Sequence, residues 1–422
     1  MWLIFLLLSI VTFSSVEIPL SDKIFLHIEP VIISVMWYIV YLRIFSGHTN
    51  IIGSQEKVID KKLIGSLFFF ITVIFLTTLF NVGTNGLKNT IVSILYLLQF
   101  TTYMSVMFLI PFYLNSEKDI ANCLKFIFLC YLFISLISLK MLLSGEQFQS
   151  GIYISGNIYV DPVKYQGQSF RRLSGFWSDN ANTFGTYIGY SILFYFYLFS
   201  LQRKFIIRIL LFCIIFLSFA LLVFTFSRES LLALISGAIV FIMFSRKKIS
   251  LILISTIIVT LFYIFVPDVN SFIDRLWNRS LGGLINGVPL TEINPRILIW
   301  ISILRELFNE YHFFYGYGFN TAMTDNLYLS ILHSSGFFGL VTFLYFIINI
   351  LRKILINIQM GKNKRMGITV LSMFIFFLVQ NVFATYSSNE KILIPFFTFL
   401  ALYFTSLRYE EFQCPKFEYL KQ

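Results

Sequence analysis

The sequence predicts an all-α, polytopic integral membrane protein of about twelve transmembrane helices, with both termini cytoplasmic and two long outer loops. Three observations lead there. Of 422 residues, 57% are hydrophobic, only 13% are charged and 51 are Phe, whereas a soluble domain carries about a quarter charged residues. Apolar runs of about 16–25 residues, the length needed to cross lipid, recur from end to end. Lys and Arg gather in alternate connections between those runs.

The first run, 2–16, lacks the basic flank and small-residue cleavage site of a signal peptide, so it is read as a retained span. The next four lie at 24–45, 63–80, 89–114 and 120–143. An outer loop at 144–180 separates them from 181–201, 205–224, 228–245 and 249–266. A second outer loop, 267–326, precedes the last three runs, 326–351, 366–386 and 392–407. The chain 1–422 is thus one transmembrane domain, without repeats or a soluble module. The second loop contains "NPRILIWISILRELFNEY", which has its own helical spacing. Ile299, Ile303, Leu307 and Glu310 fall near one line, and Arg296, Trp300, Leu304 and Phe308 near another. Asn294 and Pro295 form an ordinary helix start. The expectation is a short amphipathic helix at the outer surface.

Charge tests the span count. With both termini inside, twenty of the 32 Lys and Arg fall on the inner side, as the positive-inside rule demands. A missed or extra span would reverse the pattern beyond it. The net charge of +11 therefore reports topology and does not call for nucleic acid. The four cysteines, Cys123, Cys130, Cys213 and Cys414, form no CxxC pair and imply neither a disulfide framework nor a metal site. Cys123 and Cys130 share a helix face and are read as small buried side chains.

The remaining twelve basic residues lie outside, and seven are arginines: Arg171, Arg172, Arg228, Arg275, Arg279, Arg296 and Arg305. Arginine offers a planar fork suited to phosphate or carboxylate. An outer anionic ligand is one reading, and solvated loop charge or lipid headgroups the other. Three outer helix starts carry capping residues: Ser178 or Asp179 in "RRLSGFWSDNANTFG", Ser227 in "TFSRES", and Asp325 or Asn326 in "TDNLYL". Capping does not explain Arg228, a cation in a first turn where the helix dipole is positive. Either an anion bound there or the neighbouring Glu229 would remove the conflict. Gly316 and Gly318 in "YGYGF" allow the backbone to approach a ligand, or simply make a turn. Gly336 and Gly339 are read as sites of close helix packing.

In this order the motifs resemble the O-antigen polymerase and O-antigen ligase superfamily of bacterial envelope glycosyltransferases. "RLSGFWSDNANTFG" is similar to that superfamily's R-x-x-G followed by Asn, and "TFSRES" to its Ser-Arg at an outer span start. "NPRILIW", "GYGF" and "TDNLYLSILHSSGFFGL" are similar to its R-x-x-x-W, G-x-G and [H/D]-N-x-x-L-x-x-x-x-x-G series. Two departures stand out. Asp325 occupies the place where ligases carry His, which leans toward a polymerase of Wzy type. The spacing from Gly175 to Asn182 is one residue long, which leaves Asn180 and Asn182 both eligible.

The resemblance implies an enzyme at the outer face of the inner (cytoplasmic) membrane, with its active site toward the periplasm or exterior. It would join oligosaccharide repeat units carried on undecaprenyl diphosphate and release the lipid pyrophosphate, with no cofactor and no metal. Partners would be the lipid-linked units, a chain-length regulator and a flippase. Such a leaving group needs cations and oriented N–H groups, and the acceptor hydroxyl needs a base. Arg228, Arg296 and Asp325 are the catalytic candidates, Asp325 as base or as helix cap. Arg172, Arg275, Arg279, Asn326, Gly316, Gly318, Ser227 and Asn182 are the substrate-binding candidates, while His312 and His333 are weaker candidates for the base. The alternatives are a ligase of the same superfamily and a lipid-oligosaccharide flippase or transporter. Related halves and midplane charges, usual in transporters, are not evident.

Overall fold

The computed structural model describes residues 1–13, 17–21, 24–46, 61–144, 163–165, 168–170, 173, 181–225, 227–245, 296–309, 312–319, 325–383 and 389–413, with 248, 256–257 and 260 as isolated positions. Among these the helices are α1 (Trp2–Phe13), α2 (Ile28–Phe45), α3 (Lys61–Phe80), α4 (Val82–Leu109), α5 (Glu117–Ser144), α6 (Ala181–Leu201), α7 (Phe205–Phe224), α8 (Arg228–Phe244), α9 (Arg296–Asn309), α10 (Leu327–Gln359), α11 (Lys364–Phe383) and α12 (Glu390–Gln413). Nine of them are long and apolar enough to cross a membrane, which makes this a multi-pass, helical membrane protein. Each expected span meets a helix except 249–266, which falls almost wholly outside the described residues.

The all-α expectation needs one amendment. Two short antiparallel hairpins occur, β1 (Glu17–Ser21) with β2 (Ile24–His27) and β3 (Val163–Tyr165) with β4 (Gln168–Phe170). The first takes residues 24–27, expected as helix, into a strand. Helix α2 begins only at Ile28, with Pro30 in its first turn, where a missing N–H costs nothing.

Helices α6, α11 and α12 hold the deepest part of the bundle. Their contact is aromatic: Phe377 and Phe396 stack with ring centroids 4.5 Å apart and planes within 7°, and Phe194 meets Phe399 at 5.2 Å. Offset ring pairs of this kind add to simple area burial. Around this centre α8 lies along α11, α10 along α3, α6 along α7 and α4 along α12. Cys123 and Cys130 are buried in α5, as small apolar side chains would be.

Helix α10 departs most from expectation. It has 33 residues, which straight would measure roughly 50 Å against an apolar slab of roughly 30 Å. It is not straight, because Gly336 at φ 66°, ψ −167° interrupts it. The rings of Tyr328 and Phe343 stand 6.3 Å apart, whereas a continuous helix would separate those positions by roughly 22 Å. A Cβ on Gly339 would fall 2.2 Å from Ser335 Cβ and 3.9 Å from Ile331 Cγ2. The chain therefore reverses at Gly336, and 327–335 folds back on the start of 337–359 as a helical hairpin. The span expected at 326–351 is therefore not one straight helix: 337–359 is its continuous part, and 327–335 is folded against it. The packing role expected for Gly339 holds, with the partner supplied by the same helix.

A fold-back frees backbone groups, and the 312–319 loop takes them up. Tyr317 N donates to His333 O and Gly318 N to Ser334 O, both at 2.8 Å, and Phe337 N donates to Phe313 O at 2.7 Å. The loop is fastened to α3 in turn: Asn81 Nδ2 donates to Gly316 O at 3.1 Å, and Phe319 N donates to Thr78 Oγ1 at 3.3 Å. The two strands of backbone approach so closely that a Cβ on Gly336 would sit 2.2 Å from Phe314 C, and one on Gly316 2.4 Å from Ser334 C.

Gly336→Ala should therefore unfold or displace the hairpin, with a thermal stability loss well above the roughly 1–3 kcal/mol of a strained φ alone. Gly361, also at positive φ but with nothing within 4 Å of an added Cβ, is the matched control. Gly361→Ala should cost only the roughly 1–3 kcal/mol of its strained φ, and unfolding of the two variants in detergent compares them directly.

Candidate functional site

On one face of the bundle, five helix ends from distant parts of the sequence meet. Helix α8 begins there with "SRES". Ser227 is its N-cap: Ser227 Oγ accepts from Ser230 N at 3.3 Å and lies 2.8 Å from Ser230 Oγ. Thr225 Oγ1 accepts from Ser227 N at 3.1 Å, which shapes the turn between α7 and α8. Leu173 N donates to Phe224 O at 2.9 Å and so is held against the same turn.

The start of α6 is joined to the start of α8 by hydroxyl groups. Ser230 Oγ donates to Asn182 O at 3.3 Å and lies 3.4 Å from Thr186 Oγ1, which itself donates to Asn182 O at 2.8 Å. Gly185 makes the approach possible, since a Cβ there would stand 2.8 Å from Ser230 Oγ and 3.1 Å from Ser227 Cβ.

Arg296, the first residue of α9, joins the remaining ends. Its Nη1 is bound to Glu229 Oε1 in the first turn of α8 and donates to Phe383 O, the last carbonyl of α11, at 2.8 Å. Its Nε lies 2.8 Å from Asp325 Oδ2, just before α10. A helix C-terminus leaves carbonyls without intrahelical partners and carries partial negative charge, so a guanidinium is well placed there. A carboxylate in the first turn of α8 is favoured by the opposite end of a dipole. Side-chain exposure is 12% for Glu229, 29% for Arg296 and 56% for Asp325, so the cluster runs from the protein interior to its surface.

The two roles open at "TDN" divide between neighbours. Asn326 caps α10, accepting from Leu329 N at 3.0 Å, and Asp325 takes the ion pair. Arg228 is exposed at the first position of α8. Glu229, weighed from sequence as a neutraliser of Arg228, is bound to Arg296, 67 residues away. The available signal was its position, a carboxylate at a span end, where ionisable residues carry function.

Other candidates lie apart. The amides of Gly316 and Gly318 are bonded to His312 and Ser334 carbonyls, so this loop's backbone serves the fold-back of α10. His312 and His333 sandwich the Tyr317 ring at 4.1 and 4.7 Å. His333 Nε2 lies 3.8 Å from Glu306 Oε1 on α9. Arg171, Arg172, Arg275, Arg279, Ser178, Asp179 and Asn180 lie outside the described residues. Among the described residues, no group of three or more His, Cys, Asp or Glu could hold a metal ion.

No protein-family model matches the chain. No curated protein matches it either. Function must therefore be read from the geometry. The face offers an exposed arginine at a helix N-terminus, a second arginine flanked by two carboxylates, and two capped helix starts. Such an arrangement can receive an anion and present a carboxylate oxygen beside it.

Two variants test the assembly of this face. Gly185→Val should part α6 from α8 at a cost of about 1–3 kcal/mol, as overpacking does, read as a lower melting temperature. Asn326→Ala should lose about 1 kcal/mol through the missing cap. Asp325→Ala should leave the α10 cap intact.

Proposed function

We propose that the protein is a polysaccharide polymerase. It joins oligosaccharide repeat units carried on undecaprenyl diphosphate at the outer face of the cytoplasmic membrane and releases the lipid pyrophosphate. The observation that carries this reading is the meeting of Arg228, Arg296 and Asp325, from three separate motifs, on one face of an apolar bundle. The reading takes that face as the outer one, toward the periplasm or exterior, with about twelve spans and both termini inside.

In this reaction the acceptor hydroxyl attacks the anomeric carbon of the donor sugar. The bond to the pyrophosphate oxygen breaks, and the lipid pyrophosphate leaves with the bonding pair. Arg228 suits the leaving group, because the positive end of the α8 dipole and the guanidinium act on the same region. Arg296 adds a second cation. Asp325 has one oxygen on Arg296 and is half exposed, which suits a carboxylate that takes the acceptor's proton. Ser227, Asn182 and Asn326 hold the helix ends in place, and Arg172, Arg275 and Arg279 are further candidates for donor binding. The expected partners are a flippase and a chain-length regulator.

The test is purified protein with lipid-pyrophosphate repeat units, read as a ladder of products. Wild type should yield the ladder, while Arg228→Ala and Asp325→Ala, at equal membrane levels, should reduce it by about 10²-fold or more. A full ladder from both variants would sink the site. Long-chain product lost in cells, with single repeat units still reaching the final acceptor, separates a polymerase from a ligase.

A further inference from the structure

Glu229 lies outside the motif positions matched above, and the geometry gives it a distinct task. It projects from the first turn of α8, one residue beyond Arg228, and is the most buried member of the charged cluster. Its Oε1 is bound to Arg296 Nη1, the same nitrogen that donates to Phe383 O. These two acceptors hold the guanidinium from the protein side. Asp325 holds the opposite edge through Nε from the exposed side. Arginine is flexible, and a fork that must act on a developing charge works best when its plane is set beforehand. The exposed Asp325 is poorly suited to set it. A buried carboxylate whose charge is matched by a helix N-terminus is well suited.

We propose that Glu229 is a positioning residue: through Arg296 it fixes the second cation of the site in the orientation that meets the anionic leaving group. The inference rests on the polymerase reading and adds to it a residue that touches no substrate. It also accounts for the order Ser-Arg-Glu at the start of α8. Ser227 caps the helix, Arg228 faces the ligand, and Glu229 turns inward to hold the other arginine.

The experiment uses full-length protein with lipid-pyrophosphate repeat units, comparing wild type, Glu229→Gln, Glu229→Asp and Arg296→Ala. Thermal unfolding fixes the folded fraction of each. A misplaced catalytic group costs up to about 10²-fold, so Glu229→Gln should lower kcat by about 10- to 100-fold per folded molecule, with KM changed little. Glu229→Asp, which keeps the charge, should recover part of the rate. Wild-type kcat in Glu229→Gln, or a loss that merely follows the folded fraction, overturns the proposal and leaves the polymerase reading standing. If wild type makes no ladder, the polymerase reading falls, and inorganic pyrophosphate becomes the probe for Glu229. Binding weakened about tenfold in Glu229→Gln, as in Arg296→Ala, supports the positioning role; unchanged binding overturns it.

Discussion

A helix broken within an apolar bundle must hand its freed carbonyls and amides to another part of the chain, because lipid offers none. The arrangement of α9, α10 and the loop between them follows from that constraint. Gly336 turns the chain back, and the carbonyls of His333 and Ser334 would lose their partners if the amides of Tyr317 and Gly318 were not there. The Gly316–Gly318 loop is thus bound to α10 as a strand is bound to its neighbour. Asn81 and Thr78 then fasten both to α3. The fold-back delivers Asp325 and Asn326 to the ends of α8 and α11, where a straight helix would carry them elsewhere.

Charge organises what the fold-back brings together. An arginine at 29% exposure between two carboxylates is costly to strip of water unless each N–H finds an acceptor. Arg296 finds acceptors for Nη1 on α8 and α11 and for Nε on Asp325 just before α10, and each helix end gains in return. A carboxylate sits at an N-terminus, and a terminal carbonyl has a donor. The same contacts that fix the site also fix how four helices terminate.

Sequence disclosed the apolar helices because a 16–25-residue apolar run has few alternatives. It disclosed α9 through its spacing and the Asn-Pro start. The reversal in α10 was not legible. "LYLSILHSSGFFGLV" keeps its apolar character through Gly336, and that pattern is the same whether the helix runs on or folds back. The candidate site was legible as a set of residue types at helix starts. The division of labour between Asp325 and Asn326 was not, since both are favoured caps and the distant Arg296 decides between them. The Glu229–Arg296 pair spans 67 residues and leaves no local trace. The helix expected from residue 24 begins later for a local reason: residues 24–27 pair with 17–21, and α2 starts at Ile28 with Pro30 in its first turn.

Membrane proteins are threaded into lipid in the order of synthesis, and this bears on Arg296. Its acceptor on Phe383 lies 87 residues further along the chain. A nascent chain that has delivered α8, α9 and α10 still holds an incomplete charged cluster, with the end of α11 missing. The last acceptor of Arg296 is thereby tied to a late step of biogenesis, and an interrupted chain carries the Glu229–Arg296–Asp325 contacts without the α11 carbonyl.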